Sequence, residues 1–332
     1  MPSLRVAVSD SVFPNLDPAR ELLSSIGAEL DIAPASTPDA IVQIAADADA
    51  LLVTYAKITA EMIHQLQRCR IISRFGIGVD NVDLAAASSA GIVVTKVPDY
   101  CIDEVSDHTL ALLLAVGRKI ALANAQVQRG RWEMPAVVPI HRLRGSVLGL
   151  VGFGRIPQLV APKAKAFGLR VLAFDPYMPA EGFERAGVER VEFSQLLKDS
   201  DYVSIHTPLL PETRGLFNRD ALKQMKPSAF LINTARGPIV DEEALAQALD
   251  AGELAGAALD VMPQEPPVNS PLIGRESVII TPHTSFYSEE SLLELQRKAA
   301  EEVVAVLTGK PPRNPVNADV LESGKLKVES GK

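Results

Sequence analysis

Short apolar runs alternate with segments of helical periodicity along almost the whole chain. That is the pattern of parallel sheets joined by crossover helices. In the first third, the runs that predict strands are residues 4–9, 28–33, 50–54, 70–74 and 92–96. A second series comprises residues 147–152, 170–175, 202–207, 229–233, 256–261 and 278–281. Two such series predict an α/β protein with two doubly wound parallel-sheet domains. Helix starts are legible between the strands. Asp17-Pro18 and Thr37-Pro38 each set a capping side chain before a proline that loses no hydrogen bond, and Asp241 precedes Glu242 and Glu243 in a dipole-favoured first turn.

Val97-Pro98-Asp99 interrupts the first series and reads as a hinge. A single helix is expected after it, over about residues 104–127. Its segment 110–116 is apolar all round, so it is either enclosed or lies at a subunit interface. The interface is the favoured reading, because one small domain has little room to enclose a helix that follows a hinge. Trp132 is expected to pack near it. A last long helix is expected over about residues 288–307, followed by a small, charged tail from Ser323 that reads as disordered.

With 47% apolar and 22% charged residues over 332 positions, the composition is that of a soluble globular protein with room for two cores. The net charge of −8 argues against general affinity for nucleic acid. Cys69 and Cys101 are too few for a disulfide framework or a zinc cluster. The N-terminus enters a strand pattern directly, without a signal-peptide layout, and no apolar run is long enough to span a bilayer. The expectation is a cytoplasmic protein without metal or membrane partners.

Residues 147–156 read as a buried strand running into a glycine turn and then a helix. Gly152 permits the turn, and Gly154 lets the backbone approach a pyrophosphate placed on the helix N-terminus. Asp175 closes the next strand, where a carboxylate accepts ribose hydroxyls and repels a 2′-phosphate; the expected cofactor is NAD. Pro157 replaces the third glycine of the pattern, within the first turn, where a missing N–H costs little. Pro162, further on, is expected to kink or shorten the helix.

Three chemically capable residues fall just past strand ends in the second series: Arg236, Glu265 and His283. The carboxyl ends of parallel strands line the ligand crevice, so the three can converge there. Arg236 offers a planar fork to a carboxylate. His283 can pass a proton to and from a carbonyl oxygen. Glu265 beside the imidazole would fix its tautomer and favour its charged form. His64, His108 and His141 have no such context and read as helix-surface or loop residues.

The segments from Arg74 to Asp83, Asn233 to Gly237, Asp260 to Pro266 and Thr281-Pro282-His283, in this order, resemble the D-2-hydroxyacid dehydrogenase family. Residues 173–177 and 286–290 look most like the branch that contains the C-terminal binding protein corepressors. The resemblance implies a flavodoxin-like substrate-binding domain, residues 1–98 with 286–332, facing across a cleft a Rossmann NAD-binding domain, residues 99–285. It implies hydride transfer between NAD(H) and a small 2-oxo or D-2-hydroxy acid, with Arg236, Glu265 and His283 as the catalytic set. It implies cofactor contacts from Gly152, Gly154, Arg155, Ile156, Asp175, His206, Pro208, Thr234 and Asp260, the last holding the carboxamide. It places the substrate against Tyr55, Gly76, Ile77, Gly78 and Phe286, and it implies a homodimer through the helix after the hinge.

Phe286 stands where the corepressor branch has tryptophan. Glu265 stands where formate-specific relatives have glutamine, so formate is not the expected substrate. The regulatory C-terminal domain common among phosphoglycerate dehydrogenases is not expected here. The alternative to an enzyme is an NAD(H)-sensing regulatory protein with vestigial chemistry.

Overall fold

The structure is a computed structural model that describes residues 3–322. The tail from Ser323 lies outside the described residues. The chain divides into two compact units, Met1–Tyr100 with Ser288–Lys332, and Cys101–Tyr287.

In the first unit β1(Leu4–Val8), α1(Asp17–Ser24), β2(Ala28–Ile32), α2(Pro38–Ala45), β3(Ala50–Val53), α3(Ala60–Ile63), β4(Ile71–Arg74), α4(Leu84–Ser89) and β5(Val93–Thr95) follow in order. The second unit holds α5(Ile102–Gly117), α6(Ile120–Gln128), β6(Val147–Val151), α7(Arg155–Ala166), β7(Arg170–Phe174), α8(Ala180–Ala186), β8(Glu189–Arg190) and α9(Phe193–Asp199). It continues with β9(Tyr202–Ile205), α10(Arg219–Leu222), β10(Phe230–Asn233), α11(Glu242–Asp250), β11(Gly256–Leu259) and β12(Val278–Ile280). The chain then returns to the first unit as α12(Glu289–Leu307) and α13(Asp319–Glu322).

The first unit contains a five-stranded parallel sheet in the order β2-β1-β3-β4-β5, the flavodoxin-like winding. Ala7, Leu51, Val53, Ile72 and Val94 face one side and pack on Ile41 and Ile63. Helix α12 lies against β4, where the Ser73 hydroxyl donates to the Ala299 carbonyl at 3.0 Å. Both faces are covered, which is why these strands read as continuous apolar runs. The second unit contains a seven-stranded parallel sheet in the order β12-β11-β10-β9-β6-β7-β8. Its winding reverses between β6 and β9, the position where such sheets bind ligands.

Every strand of both series forms; β4 and β10 end at the expected residue, and the others end one or two residues before it. The two-residue strand β8, exposed and polar, carries no apolar run to predict it.

Several local expectations are corrected. Asp17 lies inside α1, and its N–H donates to Asn15 Oδ1 at 3.0 Å. Thr37 is the N-cap of α2, yet its side chain makes no cap hydrogen bond. Asp241 does cap α11, accepting from Ala244 N at 3.0 Å.

The single helix expected over 104–127 is two, α5 and α6, bent by 60°. Lys119, in the left-handed region at φ 52°, makes the break. Most of the apolar segment of α5 is buried by its own unit, with Ala111 exposed. Leu110, Leu112, Leu113 and Val116 are buried against Leu148, Leu150, Phe153 and Val160, so packing within its own unit accounts for most of the apolar run. Large exposed apolar groups lie instead on α6 and beyond it. Ile120 is 56% exposed and Trp132 87%, so Trp132 packs on little of its own chain.

Helix α7 runs unbroken through Pro162 and is not shortened. Pro162 and Gln158, the residue whose carbonyl loses its partner, are both exposed, so water can take the orphaned acceptor. Among the described residues no single helix is long and apolar enough to cross a membrane.

Candidate active site

The glycine turn follows β6 at the winding reversal. Gly152 has φ 90°, and a Cβ there would lie 2.9 Å from the carbonyl carbon and oxygen of His206, which follows β9. Only glycine lets the two strand ends approach this closely. Gly154 is the N-cap of α7 and is exposed, and no atom lies within 4 Å of the position its Cβ would occupy. Arg155, Ile156 and Pro157 form the first turn, so the open space lies against the helix's unpaired N–H groups. Pro157 is buried and fits there without loss.

Asp175 is more committed than the sequence suggests. Its Oδ2 accepts from Phe153 N of the glycine turn at 2.8 Å, while its Oδ1 accepts from Tyr177 N at 2.8 Å and Met178 N at 3.1 Å. The carboxylate therefore ties the turn to the end of β7 and keeps lone pairs for further donors. His206 is half-buried, its Nε2 lies 2.9 Å from Ser204 Oγ, and burial pushes the imidazole down to about 3, so it is neutral. Pro208 is exposed beyond it, and Thr234 is buried with its hydroxyl 3.0 Å from that of Thr109. An open helix N-terminus, a glycine no side chain crowds and a carboxylate at the next strand end together fit a dinucleotide.

At the far edge of the same sheet, His283 Nδ1 and Glu265 Oε2 are 2.7 Å apart. The other carboxylate oxygen accepts from Met262 N at 2.9 Å, which fixes the side chain. The Phe286 ring meets the imidazole edge-on at 6.1 Å between centroids. Arg236 caps the short turn after β10, and its Nη1 donates to the Ala235 carbonyl at 2.8 Å. A Cβ on Gly237 would lie 1.9 Å from the carbonyl carbon of Met262, so the Arg236 turn runs directly against the loop that bears Glu265.

Asp260, 1% exposed, sits beneath this group. Its carboxylate accepts from Thr284 N and Ser285 N, each at 2.9 Å, and from the Thr281 hydroxyl at 2.5 Å.

In the first unit, Tyr55 is 40% exposed after β3, with its N–H donating to Asp10 Oδ2 at 2.6 Å. Gly76 has φ 151°, and the Arg74 guanidinium fills the space a Cβ would need, with Nη1 1.0 Å from that point. Its N–H is already given to the Arg74 carbonyl at 2.9 Å. Among the described residues the N–H groups of Ile77 and Gly78 donate to nothing, which suits a carboxylate.

Three residues here are assigned no role at the site from the sequence. Asp10 and Arg74 stand at the ends of β1 and β4, where strand-end polarity is the available signal. His108 is not on an open helix surface. Its side chain is 24% exposed, and its Nε2 lies 3.0 Å from Thr281 Oγ1. The buried Val105 and Leu112, three before and four after it, put it on the packed face of α5.

An α/β unit with a glycine turn open to a dinucleotide and a histidine–glutamate pair past its strand ends, in one chain with a flavodoxin-like unit, defines a class of dehydrogenase-like proteins. Residues 110–285 match the NAD binding domain of the D-isomer specific 2-hydroxyacid dehydrogenases, and the chain belongs to that family. It is 37% identical over 325 residues to the D-3-phosphoglycerate dehydrogenase of Methanocaldococcus jannaschii, covering 97% of this chain and 61% of that one. It is 40% identical over 283 residues to the glyoxylate reductase of Thermococcus litoralis, covering 83% and 85%. The D-lactate dehydrogenase from Aquifex aeolicus, solved with NAD and lactic acid, superposes with a TM-score of 0.85 at 26% identity, covering 96% and 98%. The chain thus spans only 61% of the length of that phosphoglycerate dehydrogenase. The narrower likeness to the corepressor branch rests on residues 173–177 and 286–290 alone.

Proposed function

We propose that the protein is an NAD-dependent dehydrogenase that interconverts a small 2-oxo acid and its D-2-hydroxy acid. The observation that carries this is the 2.7 Å contact between His283 Nδ1 and Glu265 Oε2, in the unit whose glycine turn is open to a dinucleotide. With Nδ1 committed to the carboxylate, Nε2 is the nitrogen that gives a proton to the substrate carbonyl oxygen during reduction and retrieves it during oxidation. Bound NAD(H) would supply hydride to the adjoining carbon in reduction and accept it in oxidation. In the second unit Arg236 is assigned to the substrate carboxylate, and in the first unit the Ile77 and Gly78 N–H groups suit the same kind of anion. Phe286 in the second unit, and Tyr55 and Gly76 in the first, are assigned to substrate. Gly152, Gly154, Arg155, Ile156, Asp175, His206, Pro208, Thr234 and Asp260 hold the nucleotide, and Asp175 selects NAD over NADP. The unit from Cys101 to Tyr287 is then the cofactor domain and the other the substrate domain.

A homodimer formed through α6 and the segment after it, residing in the cytoplasm, belongs to the same proposal; the exposed Ile120, Trp132 and Met134 support the dimer. The regulatory alternative is not favoured by relatives named as dehydrogenases and reductases. A panel assay separates the two. NADH consumption with glyoxylate, hydroxypyruvate or pyruvate, or NAD reduction with D-3-phosphoglycerate or D-lactate, is expected for at least one acid. NADH binding with no turnover on any of them would replace the enzyme with a sensor.

A further inference from the structure

His283 has φ 54°, the left-handed region that side chains other than glycine avoid. A residue so placed stays only if its surroundings hold it, and Asp260 supplies most of the hold, with the Thr281 carbonyl also accepting from His283 N at 3.0 Å. The Asp260 carbonyl accepts from His283 N at 2.8 Å, while its carboxylate takes the next two N–H groups, of Thr284 and Ser285, both at 2.9 Å. Three successive N–H groups thus converge on one residue, which aims the imidazole at Glu265.

Asp260 is braced in turn. The Thr281 hydroxyl has one proton, and its 2.5 Å contact with an acceptor-only carboxylate uses it. The 3.0 Å contact between Thr281 Oγ1 and His108 Nε2 must then be an N–H donated by His108, which fixes that ring's tautomer. The same nitrogen is 3.6 Å from Asp260 Oδ1.

The next residue on α5 makes a parallel connection. Thr109 Oγ1 donates to the Val105 carbonyl at 2.8 Å, so the proton in its 3.0 Å contact with Thr234 Oγ1 comes from Thr234. Thr281 precedes His283 by two residues, and Thr234 precedes Arg236 by two. One turn of α5 therefore touches both strand ends, each just before a residue to which the proposed chemistry is assigned.

We propose that the His108–Thr109 turn of α5 is a bracket that positions the two loops, His108 acting on His283 through Thr281 and Asp260, and Thr109 acting on Arg236 through Thr234. Neither residue touches substrate; both are positioning residues. The proposal rests on the assignment of His283 and Arg236 above, and it predicts two different kinetic signatures. Loss of the His108 donor disturbs proton transfer, whereas loss of the Thr109 acceptor disturbs the carboxylate grip.

The variants are His108→Asn, His108→Gln and Thr109→Val in the full chain. Glutamine places its amide nitrogen about where the imidazole Nε2 lies, whereas asparagine is as polar but too short to reach Thr281. His108→Asn is expected to lower kcat by about tenfold or more, as small displacements of a reacting group do, with KM for the oxo acid changed less than about twofold. His108→Gln is expected to restore most of kcat. Thr109→Val is expected to raise KM for the oxo acid with the smaller effect on kcat.

The second readout needs no turnover: the proton NMR signal of the His283 Nδ1–H bonded to Glu265, assigned by its loss in His283→Ala. It should shift or broaden in His108→Asn, return in His108→Gln, and persist in Thr109→Val. Equal kcat for the asparagine and glutamine variants, with an unmoved His283 signal in both, would overturn the bracket. Absence of turnover in the wild-type chain would overturn the proposed activity instead, and the NMR comparison would still decide the bracket.

Discussion

An imidazole that burial holds to about 3 leaves a mark on stability. In the unfolded chain His206 binds a proton below about 6.5; in the folded chain it does not until about 3. Between those values the unfolded state holds more protons, so this residue's contribution to stability is complete above about 6.5 and is lost as the pH falls toward 3. Thermal melts at pH 7 and pH 5 are expected to separate more for the wild-type chain than for His206→Asn. Equal separations would mean that the ring is not kept neutral.

Asp175 gives a second test at the same scale. Replacing it by alanine removes an acceptor for three backbone N–H groups, one of them in the glycine turn. Steady-state kinetics of Asp175→Ala should show KM for NADH raised by about tenfold or more, as the loss of charged hydrogen bonds implies, and a narrowed preference over NADPH. Asp175 was legible because a strand-end acid after a glycine turn is a local pattern. Its grip on Phe153, like the link from His108 to Asp260, joins residues distant in sequence and leaves no such pattern.

Elements were legible where burial dictates sequence. Strands covered on both faces must be apolar throughout, so both series could be read to within a residue or two, while exposed β8 could not. Helix ends were less secure. Asp241 caps its helix, but at Asp17 a neighbouring asparagine supplies the acceptor instead. The bend between α5 and α6 depends on Lys119 adopting a conformation that its residue type disfavours, and hydrophobic periodicity is blind to that.

Pro162 tests the account of α7. Pro162 and Gln158 are both exposed, so water can satisfy the orphaned carbonyl, and Pro162→Ala should stabilise the second unit by roughly 1–3 kcal/mol on the scale of helix-interior prolines, with NADH affinity unchanged. Calorimetry and NADH titration together check this. A destabilised variant would show that the proline has a packing role on that exposed face.

At the scale of the whole molecule, the chain's return from β12 to α12 in the first unit was legible only through family resemblance, since chain order alone does not say which sheet a last helix joins. Trp132 is the chain's single tryptophan and is 87% exposed within it. If the segment after α6 forms the dimer contact, sedimentation should give twice the chain mass, and tryptophan emission should move to the red on dilution. Trp132→Glu should yield a monomer. A wild-type monomer at all concentrations would remove that contact.

The central claim is that one imidazole, paired with one carboxylate, moves the substrate proton. Single-turnover measurement of NADH oxidation by His283→Ala, with the best 2-oxo acid saturating, tests it most directly. The expected result is a rate lower by about 10²–10⁴-fold, the range for a removed general acid, with NADH still bound. An undiminished rate would contradict it.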